Sequence, residues 1–108
     1  MLAGNDLLND HLDFLPKCIN LIKLDLSHNH LTRIPDKADL SVLHQLEVVY
    51  LHSNKLSSID SVRPLFRCET LTYFTYHNNP LEISVKHEHE MVNSLPNLKL
   101  LNDRIVQV

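Results

Sequence analysis

Apolar residues recur along this chain with a fixed spacing, and one eleven-residue pattern occurs three times. The three stretches are residues 21–31, 46–56 and 71–81, and each has apolar residues at its first, fourth, sixth and eleventh positions and an asparagine at its ninth. The three asparagines, Asn29, Asn54 and Asn79, are spaced 25 residues apart. A constant period of this length predicts a solenoid in which each repeat buries its apolar face against its neighbours.

Each repeat is expected to begin with a short strand, because apolar and polar residues alternate there. The side chains predicted to enter the core are Leu24, Leu26, Val49, Leu51, Phe74 and Tyr76. An asparagine amide can donate and accept hydrogen bonds together, so it suits the bend where the chain leaves the strand. The rest of each repeat has room for about one or two helical turns, which predicts a parallel sheet on a concave face.

The pattern L-x-x-L-x-L-x-x-N-x-L is the template of a leucine-rich repeat. We therefore predict the α/β class: a right-handed superhelix of strands and α or 3-10 helices, with a parallel concave sheet. One domain is expected over residues 1–108, with a partial repeat at 1–20, repeats at 21–45, 46–70 and 71–94, and a C-terminal cap at 82–108. Because the chain enters the template midway, near Asn5, we expect a piece of a longer protein.

Composition narrows the class of partner. The net charge of −3 argues against a general nucleic-acid binder, and no apolar run is long enough to span a membrane. Cys18 and Cys68 occupy the same repeat position as Leu43 and Leu95. They are expected to be buried and too far apart for a disulfide, which suits a reducing intracellular compartment.

The segment 79–106 carries Asn-Pro-Leu, a charged helix and Leu-Pro-Asn-Leu-Lys-x-Leu-Asn-Asp. It resembles the C-terminal cap of the SDS22-like leucine-rich repeats, a group with a spliceosomal U2 A-prime protein, a phosphatase-1 regulator and an axonemal dynein light chain. The runs 18–26, 50–52 and 91–94 resemble the leucine-rich repeat and IQ-domain proteins. This resemblance implies an intracellular scaffold, cytoplasmic or ciliary and cytoskeletal, with the nucleus as an alternative. The chain has no IQ motif, so calmodulin binding is not implied.

The outward positions of neighbouring strands are expected to form rows across the concave face. We predict partner binding by Lys23, Asp25, Val48, Tyr50, His52, Tyr73, Thr75 and His77. Tyr50 and Tyr73 would be the anchors, because exposed aromatic patches mark interfaces. The alternative is that such residues merely suit strands. The predicted function is a non-enzymatic scaffold for another protein, with no cofactor, nucleic acid, membrane or small-molecule ligand. A ribonucleoprotein scaffold and a phosphatase regulator are the alternatives.

The same rows also hold candidate catalytic and metal-binding side chains. Ser27, His52, His77 and Arg104 share one predicted row, so Ser27 could serve as a nucleophile beside His52 as a base. No acid stands behind that histidine, and the one glycine, Gly4, offers no oxyanion hole. His52 and His77 lack the third ligand that a zinc site needs. We therefore expect neither a catalytic nor a metal site.

Overall fold

The computed structural model describes residues 4, 15–35, 40–83, 85–102 and 104–105, so parts of the predicted partial repeat and cap lie outside the described residues. Five strands form one sheet in chain order: β1 (Lys23–Asp25), β2 (Val48–Tyr50), β3 (Tyr73–Thr75), β4 (Leu100–Leu101) and β5 (Arg104–Ile105). The first four are parallel, and β5 is antiparallel to β4. The predicted α/β leucine-rich-repeat solenoid is confirmed.

The strands pair in the register that the 25-residue period predicts. Lys23 lies beside Val48, Val48 beside Tyr73, and Tyr73 beside Leu100. One residue of each parallel strand points into a shared interior with at most 5% of its surface exposed; these residues are Leu24, Val49 and Phe74, at the centres of β1 to β3, and Leu101 in β4. The predicted inward residues Leu26, Leu51 and Tyr76 are buried as well.

The return segments are mostly 3-10 helices, at Leu15–Lys17, Leu40–Val42, Ile59–Arg67 and Pro80–Ile83. The segment Ile59–Arg67 is longer than the one or two turns expected. Its buried residues Ile59, Val62 and Leu65 are three apart, and a helix with three residues per turn places all of them on one face. The spacing of apolar residues therefore selects the 3-10 form over an α-helix.

One α-helix, α1 (Val85–Ser94), follows the last repeat at the predicted place. Met91 and Leu95 are buried in the core, and Val92 is packed against it. Leu15, Leu40 and Leu65 each lie six residues before the next repeat or strand segment and are fully buried. Val92 has the same position before Leu98, but it is only partly buried.

The two thiols differ, although neither cysteine is in a disulfide. Cys68 is buried as expected, and its Sγ lies 3.5 Å from the carbonyl oxygen of Leu40 in the preceding return segment. Cys18 is only half-buried, so the prediction of two core thiols is wrong for this residue. Cys18 follows the first described return segment, whereas repeats on both sides cover Cys68.

The template asparagines join consecutive repeats. Asn54 donates from Nδ2 to the carbonyl oxygens of Leu26 (2.9 Å) and Leu51 (3.0 Å), and its Oδ1 accepts from the Leu31 N–H (3.1 Å). Asn79 repeats the arrangement one repeat later, with its Oδ1 accepting from the Leu56 N–H at 2.9 Å. Both asparagines are buried, so these bonds satisfy main-chain groups that water does not reach.

The residue before each template asparagine has a left-handed backbone. The φ angles are 57° at His28, 60° at Ser53 and 56° at Asn78, and Gly4 has 69°. Each turn bonds to the next: the N–H groups of Gly4, His28 and Ser53 donate to the carbonyl oxygens of Ser27, His52 and His77 at 2.9–3.1 Å. The turns therefore stack in register along one end of the strands.

The C-terminal end departs from the repeat. β5 turns back on β4, with Arg104 opposite Leu101, so Arg104 does not continue the predicted row of Ser27, His52 and His77. Asn102, also with positive φ, accepts from the N–H groups of Tyr76 (2.6 Å) and His77 (3.1 Å) through Oδ1. Within the described ranges, no helix is long and apolar enough to cross a membrane.

Candidate protein-binding site

The predicted site residues lie on the face of the sheet opposite to the core, because side chains alternate along each strand. The structure brings the predicted residues of β1, β2 and β3 together through the strand register. Most remain at least partly open to solvent: Lys23 is exposed, and the half-buried ones are Asp25, Val48, Tyr50, His52, Tyr73 and His77. The exception is Thr75.

Tyr50 is at the centre of a cluster of ring contacts. Its ring is edge-on to Tyr73, with the centroids 5.5 Å apart, and it lies 5.9 Å from the His52 ring. The ammonium nitrogen of Lys23 lies 5.0 Å from the centroid of the Tyr50 ring, a cation–π distance. Edge-to-face packing and a nearby cation both restrict ring rotation. The cluster is therefore an ordered surface with two aromatic rings partly open to solvent.

A row of three imidazole rings runs beside the tyrosines. His52 and His77 stack nearly parallel, with centroids 4.6 Å apart, and His28 meets His52 edge-on at 5.3 Å. The Nδ1 of His52 is hydrogen-bonded to the Thr75 hydroxyl at 2.7 Å, which fixes the ring in its plane. The arrangement follows directly from the repeat, since His52 and His77 are 25 residues apart and each lies two residues after one of two adjacent strands.

The prediction that Thr75 is an open contact residue is wrong, because its side chain is 2% exposed. Thr75 is on the predicted row, but its side chain is buried and its hydroxyl is hydrogen-bonded to Nδ1 at the edge of the His52 ring. Its contribution to the surface is to position His52. A short polar side chain can be covered by a longer side chain of the neighbouring repeat. The alternation of inward and outward positions along a strand does not reveal such cover.

Ser27 does not form the nucleophile–base pair considered above. Its hydroxyl donates to the Asp25 carboxylate at 2.6 Å, and its N–H donates to the same oxygen at 3.0 Å. Ser27 is buried, and its one proton is directed at Asp25. The two bonds also hold the Asp25 carboxylate against its own strand.

Candidate metal ligands do not converge in the part of the chain that the structure describes: no three side chains of His, Cys, Asp or Glu are grouped to hold an ion. Parallel stacked rings direct their nitrogens side by side, and the edge-on ring of His28 lies at the end of the row. The three imidazoles form a row of stacked and edge-on rings.

Two features of this surface are missed when strand rows alone are read from the sequence. His28 and Lys55 belong to the turns that follow β1 and β2, and both are exposed; the His28 ring meets the His52 ring edge-on. Ile19 and Ile22, which precede β1, are 57% and 51% exposed at the other end of the strands. The repeat does predict that His28 lies next to His52, because His28 is 25 residues before Ser53, the residue that follows His52.

Comparison with known proteins agrees with the repeat. A family model described as Leucine Rich repeats (2 copies) matches residues 19–64. The chain is 34% identical over 103 residues to Leucine-rich repeat and IQ domain-containing protein 3 of Mus musculus, covering 95% of this chain and 16% of that protein. It is 33% identical over 102 residues to Leucine-rich repeat-containing protein 51 of Macaca mulatta, covering 88% of this chain and 52% of that protein.

The fold is also found in solved structures of low sequence identity. The Mex67 LRR domain from Chaetomium thermophilum has a TM-score of 0.75 at 18% identity, covering 99% of this chain and 77% of that one. In the Drosophila melanogaster SNF/U2A′ complex, a chain matches with a TM-score of 0.67 at 18% identity, covering 98% and 72%. The chain spans a sixth to a half of the curated relatives named above. The protein thus carries leucine-rich repeats folded as an α/β solenoid, and resembles leucine-rich repeat and IQ domain-containing protein 3 over most of its length.

Proposed function

We propose that this domain is a non-enzymatic scaffold that binds another protein on the concave face of its sheet, with Tyr50 and Tyr73 as the anchors. The proposal rests on one observation above all. Two half-buried tyrosine rings pack edge to face, 5.5 Å apart, on the side of the sheet opposite to the core. Aromatic side chains that are already ordered lose little freedom on binding, which favours them as anchors.

The surrounding residues would complete the contact surface. Lys23 and Asp25 flank the tyrosines on β1, and Val48 adds apolar area on β2. His52 and His77 extend the surface toward the turns, and Thr75 acts through the position of His52. A central aromatic pair with a polar surround matches the general anatomy of protein interfaces.

The resemblance to the leucine-rich repeat and IQ-domain proteins supports an intracellular role, in the cytoplasm or in cilia and the cytoskeleton. A second candidate is a ribonucleoprotein scaffold in the nucleus. The fold likeness to a chain of the SNF/U2A′ complex favours it. Affinity purification from the native cell separates the two, because ciliary or cytoskeletal proteins would be recovered in the first case and splicing factors in the second.

The site assignment is tested by changing Tyr50→Ala and Tyr73→Ala together. We expect the affinity for the purified partner to fall at least about a hundredfold, since truncation of an anchor typically costs 2 kcal/mol or more. The fold should persist, because both rings are on the open side of the sheet. Calorimetric titration of partner into each protein measures the change.

The matched control is Ile19→Ala with Ile22→Ala, which removes exposed apolar area at the other end of the strands. Its affinity should equal that of the unchanged protein. Circular dichroism and thermal melting should be the same for all three proteins. Full affinity in the tyrosine variant would reject the concave face as the binding site.

A further inference from the structure

The turns that carry the imidazole row are rich in basic and imidazole side chains. We define the loop edge as the three turns at residues 27–33, 52–58 and 77–81. Its ionisable residues are His28, His30, Arg33, His52, Lys55 and His77, and three acidic residues, Asp25, Asp60 and Glu82, lie within two residues of its ends in the sequence. The chain as a whole has 13 acidic and 10 basic residues, so this edge departs from the overall balance.

The fold makes these turns one continuous surface. The N–H of His28 donates to the His52 carbonyl oxygen at 3.1 Å, and the N–H of Ser53 donates to that of His77 at 2.9 Å. Further along, the N–H of Lys55 donates to the Leu31 carbonyl oxygen at 2.8 Å. Side chains from successive repeats are therefore neighbours, and His28 and Lys55 project from this ladder as exposed groups.

The loop edge is contiguous with the aromatic cluster. The His52 ring contacts His28 and His77 on the loop edge and Tyr50 on the concave face. On the far side of Tyr50 is the Lys23 ammonium. Asp25 is the acidic residue among the predicted concave residues, and its carboxylate accepts two hydrogen bonds from Ser27. Tyr50 thus has an ammonium group, an imidazole ring and the Tyr73 ring as close neighbours.

We propose that the partner binds through an acidic peptide segment, with carboxylates along the loop edge at His28, Lys55 and His77 and an apolar side chain on Tyr50 and Tyr73. This inference rests on the proposed function and specifies its partner. Charge complementarity is the argument, since carboxylates accept hydrogen bonds from imidazolium and ammonium groups. A polynucleotide suits this edge less well, because the chain carries a net charge of −3 and Lys55 is the one lysine on the edge.

Three fluorescein-labelled dodecapeptides with the same Leu-Phe centre provide the test. The first has four glutamates around the centre, the second has glutamines at those places, and the third has lysines. Fluorescence anisotropy at low salt should give an affinity for the glutamate peptide at least about tenfold above that for the glutamine peptide, with the lysine peptide weakest. The advantage of the glutamate peptide should shrink as salt is added.

Lys55→Gln with His77→Gln should weaken the glutamate peptide much more than the glutamine peptide, and so remove most of the glutamate preference. Lys17→Gln with His44→Gln is the control, since it removes the same residue types from exposed positions outside the loop edge. The tyrosine double variant should weaken the glutamate and glutamine peptides alike, by the same factor.

The outcomes separate the two proposals. Equal binding of the glutamate and glutamine peptides, lost in the tyrosine variant, would overturn the acidic-segment inference and leave the concave site standing. Equal loss of preference in the control variant, or no binding of any peptide, would also overturn the inference. Tighter binding of a twelve-uridine oligonucleotide than of the glutamate peptide, abolished by Lys55→Gln with His77→Gln, would assign the edge to RNA and overturn it.

Discussion

Asn54 and Asn79 show how a single residue type holds neighbouring repeats together. Each is buried where the backbone leaves the sheet, and each amide binds carbonyl oxygens of its own repeat and of the one before. Aspartate would place acceptors against those carbonyls, and leucine would donate no hydrogen bond to them. The template asparagine is therefore a cross-repeat connector as well as a turn residue.

Asn54→Ala should lower the free energy of unfolding by about 1–3 kcal/mol, because it leaves the Leu31 N–H without its partner inside the protein and removes one of the two amide hydrogen bonds to the Leu26 carbonyl. Urea denaturation followed by circular dichroism measures the loss. Asn93→Ala, at an exposed position of α1, is the control and should change stability by less than about 0.5 kcal/mol. Similar values for both variants would mean that the amide bonds contribute little.

At this scale the sequence is strongly informative about the core and less so about the surface. Leu24, Val49 and Phe74 could be assigned inward because the alternation is strict and the register is set by the period. Thr75 could not be assigned correctly, since its burial depends on which way the His52 ring lies. Side-chain cover between neighbouring strands is a property of rotamers, and a repeat pattern does not specify it.

The turns are the elements that set the stacking distance, and they use an unusual backbone. Ser53 has a φ of 60°, a region that costs a non-glycine residue about 1–2 kcal/mol, while Gly4 has the same conformation without that cost. The inter-turn bond from the Ser53 N–H to the His77 carbonyl offsets part of it. Repetition of the geometry in each repeat explains why these residues are tolerated there.

Ser53→Gly should raise the free energy of unfolding by about 0.5–1 kcal/mol. Glycine removes the cost of the left-handed backbone, and its greater freedom in the unfolded chain cancels part of that gain. Ser53→Val should lower it by about 1–2 kcal/mol, since a β-branched side chain fits this region poorly. Guanidinium denaturation of the two variants checks the opposite signs. A gain for valine, or a loss for glycine, would refute the strain argument.

Among the elements, strands were predictable and return segments only partly so. Alternation and period together place β1 to β3 in the first half of each repeat and set their register. The 3-10 helix at Ile59–Arg67 exceeds its expected length because Ile59, Val62, Leu65 and Cys68 keep a spacing of three. The sequence shows this spacing, which matches the three residues per turn of a 3-10 helix. β5 was missed, since two residues carry no pattern.

One continuous core runs through the whole molecule, so its parts should open together. Cys68 reports on this behaviour because it is buried between repeats, and burial raises the pKa of its thiol from 9.0 to about 11. A thiol with a raised pKa favours the folded state below pH 9, and this contribution is lost as the pH rises toward 11. Cys18, which is half-buried, lacks the same cover.

Alkylation with iodoacetamide at pH 8 should therefore modify Cys18 in the folded protein and Cys68 only after denaturation. Mass spectrometry of peptides gives the rate for each thiol. The variant Cys18→Ser should take up no label until the denaturant concentration reaches its unfolding midpoint. Rapid labelling of Cys68 in the folded protein would indicate local opening between repeats and contradict a single cooperative core.

The reversed direction of β5 also limits how such a molecule can grow. Each strand of a parallel sheet offers the next strand the same pattern of hydrogen-bonding groups. The antiparallel strand β5 presents its groups in the opposite direction. A duplicated 25-residue unit could not be spliced beyond Ile105 and keep the common alignment. Further parallel strands would have to pair with β1. Lys23, and not Leu100, would then lie at the middle of the wider concave face.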